Sequence, residues 1–193
     1  MHTLSASFVL GYHGCDEKVA EAVLSGKNFR KSQNKYDWLG HGIYFWEANP
    51  LRGLEFAQEV SHLSRGPNIE NPTVVGAVID LGYCLDLTTS SGARNALDAF
   101  VVLKGLCKKN GTPLPENSTD GLRRNLDCEV IETLHDIQKE QNLEPIDSVK
   151  GVFVEGDPVY PGAAFYNKTH IQICVRNHDC IKGVFRVPKS HLQ

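Results

Sequence analysis

The sequence predicts a single α+β domain, and three observations predict it. Short apolar, β-branched and aromatic runs gather at both ends of the 193-residue chain. A stretch with helical apolar spacing fills the middle, about residues 89–145. The strand-like runs do not alternate regularly with helices, which argues against a sheet built of βαβ units. The length fits one domain, with 89–145 read as a helical insertion within it.

The elements follow in order. Residues 7–12 read as a strand ending at His13-Gly14-Cys15. Asp16 is a cap for a helix from about Glu17 to Leu24, where Val19, Ala20, Val23 and Leu24 share a face and Ser25-Gly26 stops it. Residues 28–36 are polar and aperiodic, a surface loop carrying Arg30, Lys31 and Lys35. A strand is expected over Ile43 to Trp46. Asn49-Pro50 then starts a helix that runs to about Ser64, followed by a turn-rich linker from Arg65 to Pro72. Thr73 to Leu81 is nearly continuous in apolar residues, as a buried strand requires, and Cys84 to Thr88 reads as its extension past a bend at Gly82. Helices are expected over Gly92–Leu106 and Leu122–Gln141, with a long loop between them. Three strands close the chain, over Ser148–Val154, Thr169–Val175 and Ile181–Val187.

Composition removes several function classes. Lys plus Arg is 20 and Asp plus Glu is 23, so the net charge of -3 argues against a globally basic nucleic-acid-coating protein, though not against a local patch at Lys108-Lys109 or Arg123-Arg124. No apolar run approaches the roughly 20 residues of a membrane helix. The N-terminus, Met1 to Ala6, lacks the pattern of an export signal. The six scattered cysteines therefore read as reduced thiols of a cytoplasmic protein. They and the eight histidines form no four-ligand set, so no metal site is expected. The phosphate-binding loop of nucleoside triphosphatases is absent.

Two motifs stand out. Tyr12-His13-Gly14 ends the first strand, where an imidazole is presented and the next residue lets a ligand approach the backbone. Gly40-His41-Gly42-Ile43-Tyr44-Phe45-Trp46 joins tight backbone to a strand that offers an aromatic face. The pair, separated by about 30 residues and followed by a helix, resembles the NAD-binding half of the ADP-ribosyltransferase superfamily, in its diphtheria-toxin and poly(ADP-ribose) polymerase branch. That branch carries His-Gly, then Gly-Lys-Gly-Ile-Tyr-Phe-Ala, then a late strand bearing Glu. The tail from Tyr166 to Val175 is a looser match to the late strand. The resemblance covers residues 8–64 and 148–187.

It implies a split, mostly antiparallel sheet with flanking helices, and NAD as substrate. His13 would bond the adenosine ribose, and the backbone of Gly14 the nicotinamide carboxamide. Tyr44 would stack on the nicotinamide ring, with Gly42 giving backbone access and Phe56 a second aromatic wall. In the 28–36 loop, Arg30 or Lys31 would pair the pyrophosphate and Ser32 or Asn34 reach the ribose or amide.

The departure lies at the late-strand carboxylate, because residues 168–172 hold no acid. Gln172 is the first candidate to replace it, through an amide that bonds ribose hydroxyls. His170 shares its strand face. Glu155 would enter from the preceding loop, and Glu47 follows the Tyr44 strand. An edge-strand Gln facing solvent is the plainer account of Gln172. Without the Glu, mono-ADP-ribosylation of a protein or nucleic-acid acceptor is expected over chain elongation, in a compact toxin or defence enzyme. A module that binds NAD or ADP-ribose without turnover, and an NAD-dependent RNA 2′-phosphotransferase, are the alternatives.

Overall fold

The computed structural model describes residues 8–63, 68–119 and 121–192. The expected first-strand start at Ser7, the helix end at Ser64, the linker start at Arg65 and the N-terminal Met1–Ala6 lie outside them. The elements run β1 (Phe8–Asp16), α1 (Glu17–Leu24), β2 (Ile43–Glu47), α2 (Pro50–Ser61), β3 (Pro72–Asp80), β4 (Cys84–Asp86), α3 (Ser90–Asn110), α4 (Asn125–Glu140), β5 (Ser148–Phe153), β6 (His170–Val175) and β7 (Ile181–Arg186). The strands form one sheet in the order β4-β5-β6-β2-β1-β3-β7. The β4–β5 pair is parallel and the other pairs are antiparallel. The α+β class is therefore observed.

Local chemistry sets the boundaries. The Lys18 N–H donates to the Asp16 carboxylate, which caps α1 and also accepts from the N–H groups of Glu70 and Asn71. These donors hold its carboxyl below the ordinary range, led by Asn71. Asn49 caps α2, with Pro50 at its first position. Thr89 caps α3, which runs four residues past its expected end to a left-handed Gly111. Asn117 accepts from the N–H groups of Leu126 and Asp127 and so starts α4.

One strand departs from expectation. Cys84–Asp86 is not an extension of the preceding strand but β4, at the far edge of the sheet. Asp147 redirects the chain there: the Tyr83 N–H donates to its carboxylate, and its own N–H donates to the Tyr83 carbonyl. The expected split also takes a different form. β1 and β2 belong to one sheet but pair only at Gly11↔Glu47 and Tyr12↔Trp46. β1 and β3, by contrast, pair from Phe8 to Asp16.

The two faces of the sheet carry different cores. Against α1 lie Ile43, Phe45, Val75, Ala77, Ile79, Ile173 and Val175, with Phe29. Against α4 lie Leu39, Val149, Phe153 and Cys174, joined by Ile131. α3 packs on α4 through Ala99, Leu103 and Val130 and also meets β4 directly, with Gly92 against the Asp86 carbonyl, while α4 reaches the sheet through Ile131. Burying each large side chain contributes roughly 1.5–3 kcal/mol. α2 lies on the α4 side, crossing Gly14 so closely that a Cβ there would run into the Gly53 carbonyl.

Candidate active site

Strand alternation sends Tyr44 and Trp46 of β2, and His170, Gln172 and Cys174 of β6, to the face beneath α2 and α4. Register sets Trp46 opposite Gln172 and Tyr44 opposite Cys174. β6 lies inside the sheet between β5 and β2, and Gln172 is 9% exposed. The solvent-facing, edge-strand account of Gln172 therefore fails.

His170 sits at the head of β6. Its Nδ1 is 2.7 Å from the Lys168 carbonyl. A carbonyl oxygen only accepts, so Nδ1 carries the proton and Nε2 presents a lone pair. Burial lowers its pKa and keeps the ring neutral. Nε2 is buried without a hydrogen-bond partner. The rings of Trp38, Trp46 and Phe153 surround the imidazole at 6.4, 6.3 and 5.8 Å between centres.

Glu155 comes to the same place from the turn after β5. Its Oε2 lies 3.5 Å from His170 Nδ1 and 3.3 Å from Arg52 Nη2. Arg52, in the first turn of α2, is 6% exposed and also reaches Glu59 at 3.4 Å. Lys168 pairs with Glu59 at 2.8 Å, so the residues before β6 are tied to α2. Arg52 Nε and Nη1 and Trp46 Nε1 are buried without partners. Glu47 is already paired with Lys150, at 2.7 Å.

The remaining expected residues lie as follows. The Tyr44 hydroxyl donates to the Gly40 carbonyl at 2.6 Å and accepts from the Leu39 N–H at 2.8 Å. It thus closes the turn before its own strand, and burial raises its pKa well above the ordinary value. The ring that meets Phe56 is Trp46, at 4.8 Å, rather than Tyr44. His13 points to the opposite face, packed against Phe29 and Phe45 at 5.2 and 5.7 Å. There its Nδ1 donates to the Tyr44 carbonyl at 2.8 Å and bridges the strands where their pairing ends. Burial lowers its pKa as well. His13 is thus not gathered with Tyr44, Gln172 and His170, whereas Gly14 lies on their side.

Ser32 pairs with Gly42 through both backbone bonds and donates its hydroxyl to Asp37. Gly42 is also pressed against β6, where a Cβ would meet Cys174 Sγ and the Val175 carbonyl. Arg30 is exposed on the loop. Glu132 of α4 fixes the turn from beneath, accepting from the His41 N–H at 2.7 Å and from Arg176 at 2.6 Å.

Sequence reasoning missed Arg52, Trp38 and Phe153, and it named Arg124 only as part of a basic surface pair with Arg123. The spacing of Arg52, Phe56 and Glu59 on one helix stripe was a readable signal for the first. The chain's only two tryptophans bracket the second glycine motif. The placement of Arg124 over Trp38 left no local signal, since the ring whose centre lies 4.3 Å from its Cζ is 86 positions away in sequence.

Among the described residues, no group of three or more His, Cys, Asp and Glu side chains is placed to hold a metal, and no helix is long and apolar enough to cross a membrane. No family model matches the chain. A stretch of 36 residues is 50% identical to the uncharacterized protein MJ0359 of Methanocaldococcus jannaschii, covering 19% of this chain and 17% of that one.

Proposed function

We propose that the chain is an NAD-dependent mono-ADP-ribosyltransferase whose chemistry is centred on Glu155, His170 and Gln172. One observation carries the reading. The acid missing from the late strand is supplied from the preceding loop: Glu155 reaches 3.5 Å from His170 at the strand head, beside Gln172. A carboxylate there meets the need of the reaction, because departure of nicotinamide develops positive charge on the ribose.

The roles follow from the atoms. Glu155 stabilises the developing charge and is itself oriented by Arg52. His170, neutral with its lone pair on Nε2, takes the proton that the acceptor sheds, and Glu155 stabilises the imidazolium formed. Gln172 bonds ribose hydroxyls. Trp46 and Phe56, packed on each other at 4.8 Å, form one aromatic wall for the flat leaving group, in place of the Tyr44 and Phe56 that the resemblance implies. The unpartnered nitrogens of Arg52 and Trp46 are donors for the phosphate or carboxamide oxygens of NAD. Tyr44 and His13 act as positioning residues, one closing the 39–44 turn and the other bridging β1 to β2. Incubation of the protein with NAD tests the reading. Release of nicotinamide supports it, and absence of both release and NAD binding removes it.

A further inference from the structure

A cavity of about 380 Å³ lies between β5, α3 and α4, next to this centre. Leu87, Phe100, Val130 and Ile131 give it apolar walls, and Trp38 and Phe153 form the side toward His170. Arg124 and Asp127 are its charged groups. The Arg124 guanidinium covers both rings, 4.3 Å from the centre of Trp38 and 5.0 Å from that of Phe153. Its Nε is buried and has no hydrogen-bond partner, while Nη1 is 3.4 Å from Asp127. The cavity thus combines aromatic walls with one donor group and one acceptor group side by side. A flat heteroaromatic ring with both acceptor and donor atoms on its edge uses all of these, whereas an aliphatic chain uses none of the polar ones.

The surface beside the cavity is basic and aromatic. Arg123 adjoins Arg124 and lies over the exposed ring of Tyr36, at 5.7 Å. The Arg124 N–H donates to the Tyr36 carbonyl, which holds the two segments together. Lys35 is exposed on the same loop, with Arg30 and Lys31 preceding it. Cations interleaved with aromatic rings suit a phosphate backbone whose bases are unstacked.

We propose that this cavity binds an unpaired base of a single-stranded nucleic acid, and that such a base is the acceptor of the site. The second clause rests on the transferase reading, whereas base binding does not. In the transfer, the bond from ribose C1 to nicotinamide breaks and its electron pair leaves with the ring. C1 bonds to a nitrogen or oxygen of the base, and the proton shed there passes to His170 Nε2.

Fluorescence anisotropy with dye-labelled 12-mers and the full chain, without NAD, tests the binding. The probes are a single-stranded DNA, an RNA of the same sequence, an abasic strand of equal length, and AMP as competitor. The base-bearing strand is expected to bind about tenfold or more tightly than the abasic one. Either sugar supports the inference, and the tighter one names it. Arg124→Gln is expected to remove most of that preference and Trp38→Phe part of it, while Lys35→Gln lowers affinity for both strands and flattens the salt dependence. Equal binding of abasic and base-bearing strands by the unaltered protein overturns the inference, as does AMP binding as tightly as the 12-mer. Nicotinamide release without strand binding overturns the base site alone. Strand binding with neither nicotinamide release nor NAD binding overturns the transferase reading alone.

Discussion

The sheet face against α1 buries Ile43, Phe45, Val75, Ala77, Ile79, Ile173 and Val175, and the histidine that enters it, His13, has its Nδ1–H bonded to the Tyr44 carbonyl. The face against α2 and α4 is built otherwise. Among the described residues, the buried side-chain nitrogens without partners are those of Trp46, Arg52, Arg124, His135 and His170, and all belong to that second side. An unsatisfied buried polar group costs about 1–3 kcal/mol, so stability does not account for this concentration. Both faces bury a core, but the second also holds buried donors and lone pairs without partners, which is the capacity the proposed NAD site would use.

The largest expected effect breaks the first face. Phe45→Ala removes a fully buried ring and is expected to cost about 3–5 kcal/mol in urea unfolding. A loss below about 1 kcal/mol would show that this core contributes little to stability. Tyr44→Phe is expected to cost about 1–3 kcal/mol, because it strands the Leu39 N–H and leaves the Gly40 carbonyl only the weak Cys174 thiol as donor. If the turn tolerates it without loss, Tyr44 is not a positioning residue.

Acidification sharpens the comparison. Burial, helped by Arg176, lowers the His135 pKa from 6.5 to about 4. The unfolded chain then binds more protons at this group, so its contribution to stability is lost as pH falls below 6.5 and stops changing below about 4. His135→Gln is expected to lose less stability than the unaltered protein between those values, read from thermal unfolding midpoints. Parallel pH profiles would contradict a buried neutral His135. The smallest expected effect is that of Trp46→Phe, which removes an N–H that has no partner. Stability is expected to stay within about 1 kcal/mol while NAD affinity falls. A large destabilisation would mean that the indole N–H serves the fold.

Much of the fold was legible because its signals are local. Asp16, Asn49 and Pro50 announced their helices, and Thr73 to Leu81 its buried strand. β4 was not legible, since a carboxylate 64 positions away in sequence, on Asp147, turns the chain at Tyr83. Of the proposed site, Gln172, His170 and Glu155 were named because the resemblance implied a late-strand acid near them, with strand phase and nearby acids choosing among the residues present. The pairing of Glu155 with Arg52 was not visible, because 103 positions separate them in sequence. Nor was the exchange of Tyr44 for Trp46 beside Phe56, since a glycine-flanked motif does not show which ring a helix will cover. The facing of His13 could have been read from alternation, which sends it opposite to Tyr12 and Gly14.

The most direct test of the central claim compares nicotinamide release from NAD by the unaltered protein and by Glu155→Gln, with NAD binding followed by calorimetry in both. Release by the unaltered protein is expected, with a rate lower by about a hundredfold or more in the variant and NAD still bound. No binding and no release by the unaltered protein, or an unchanged rate in a folded Glu155→Gln, would contradict it.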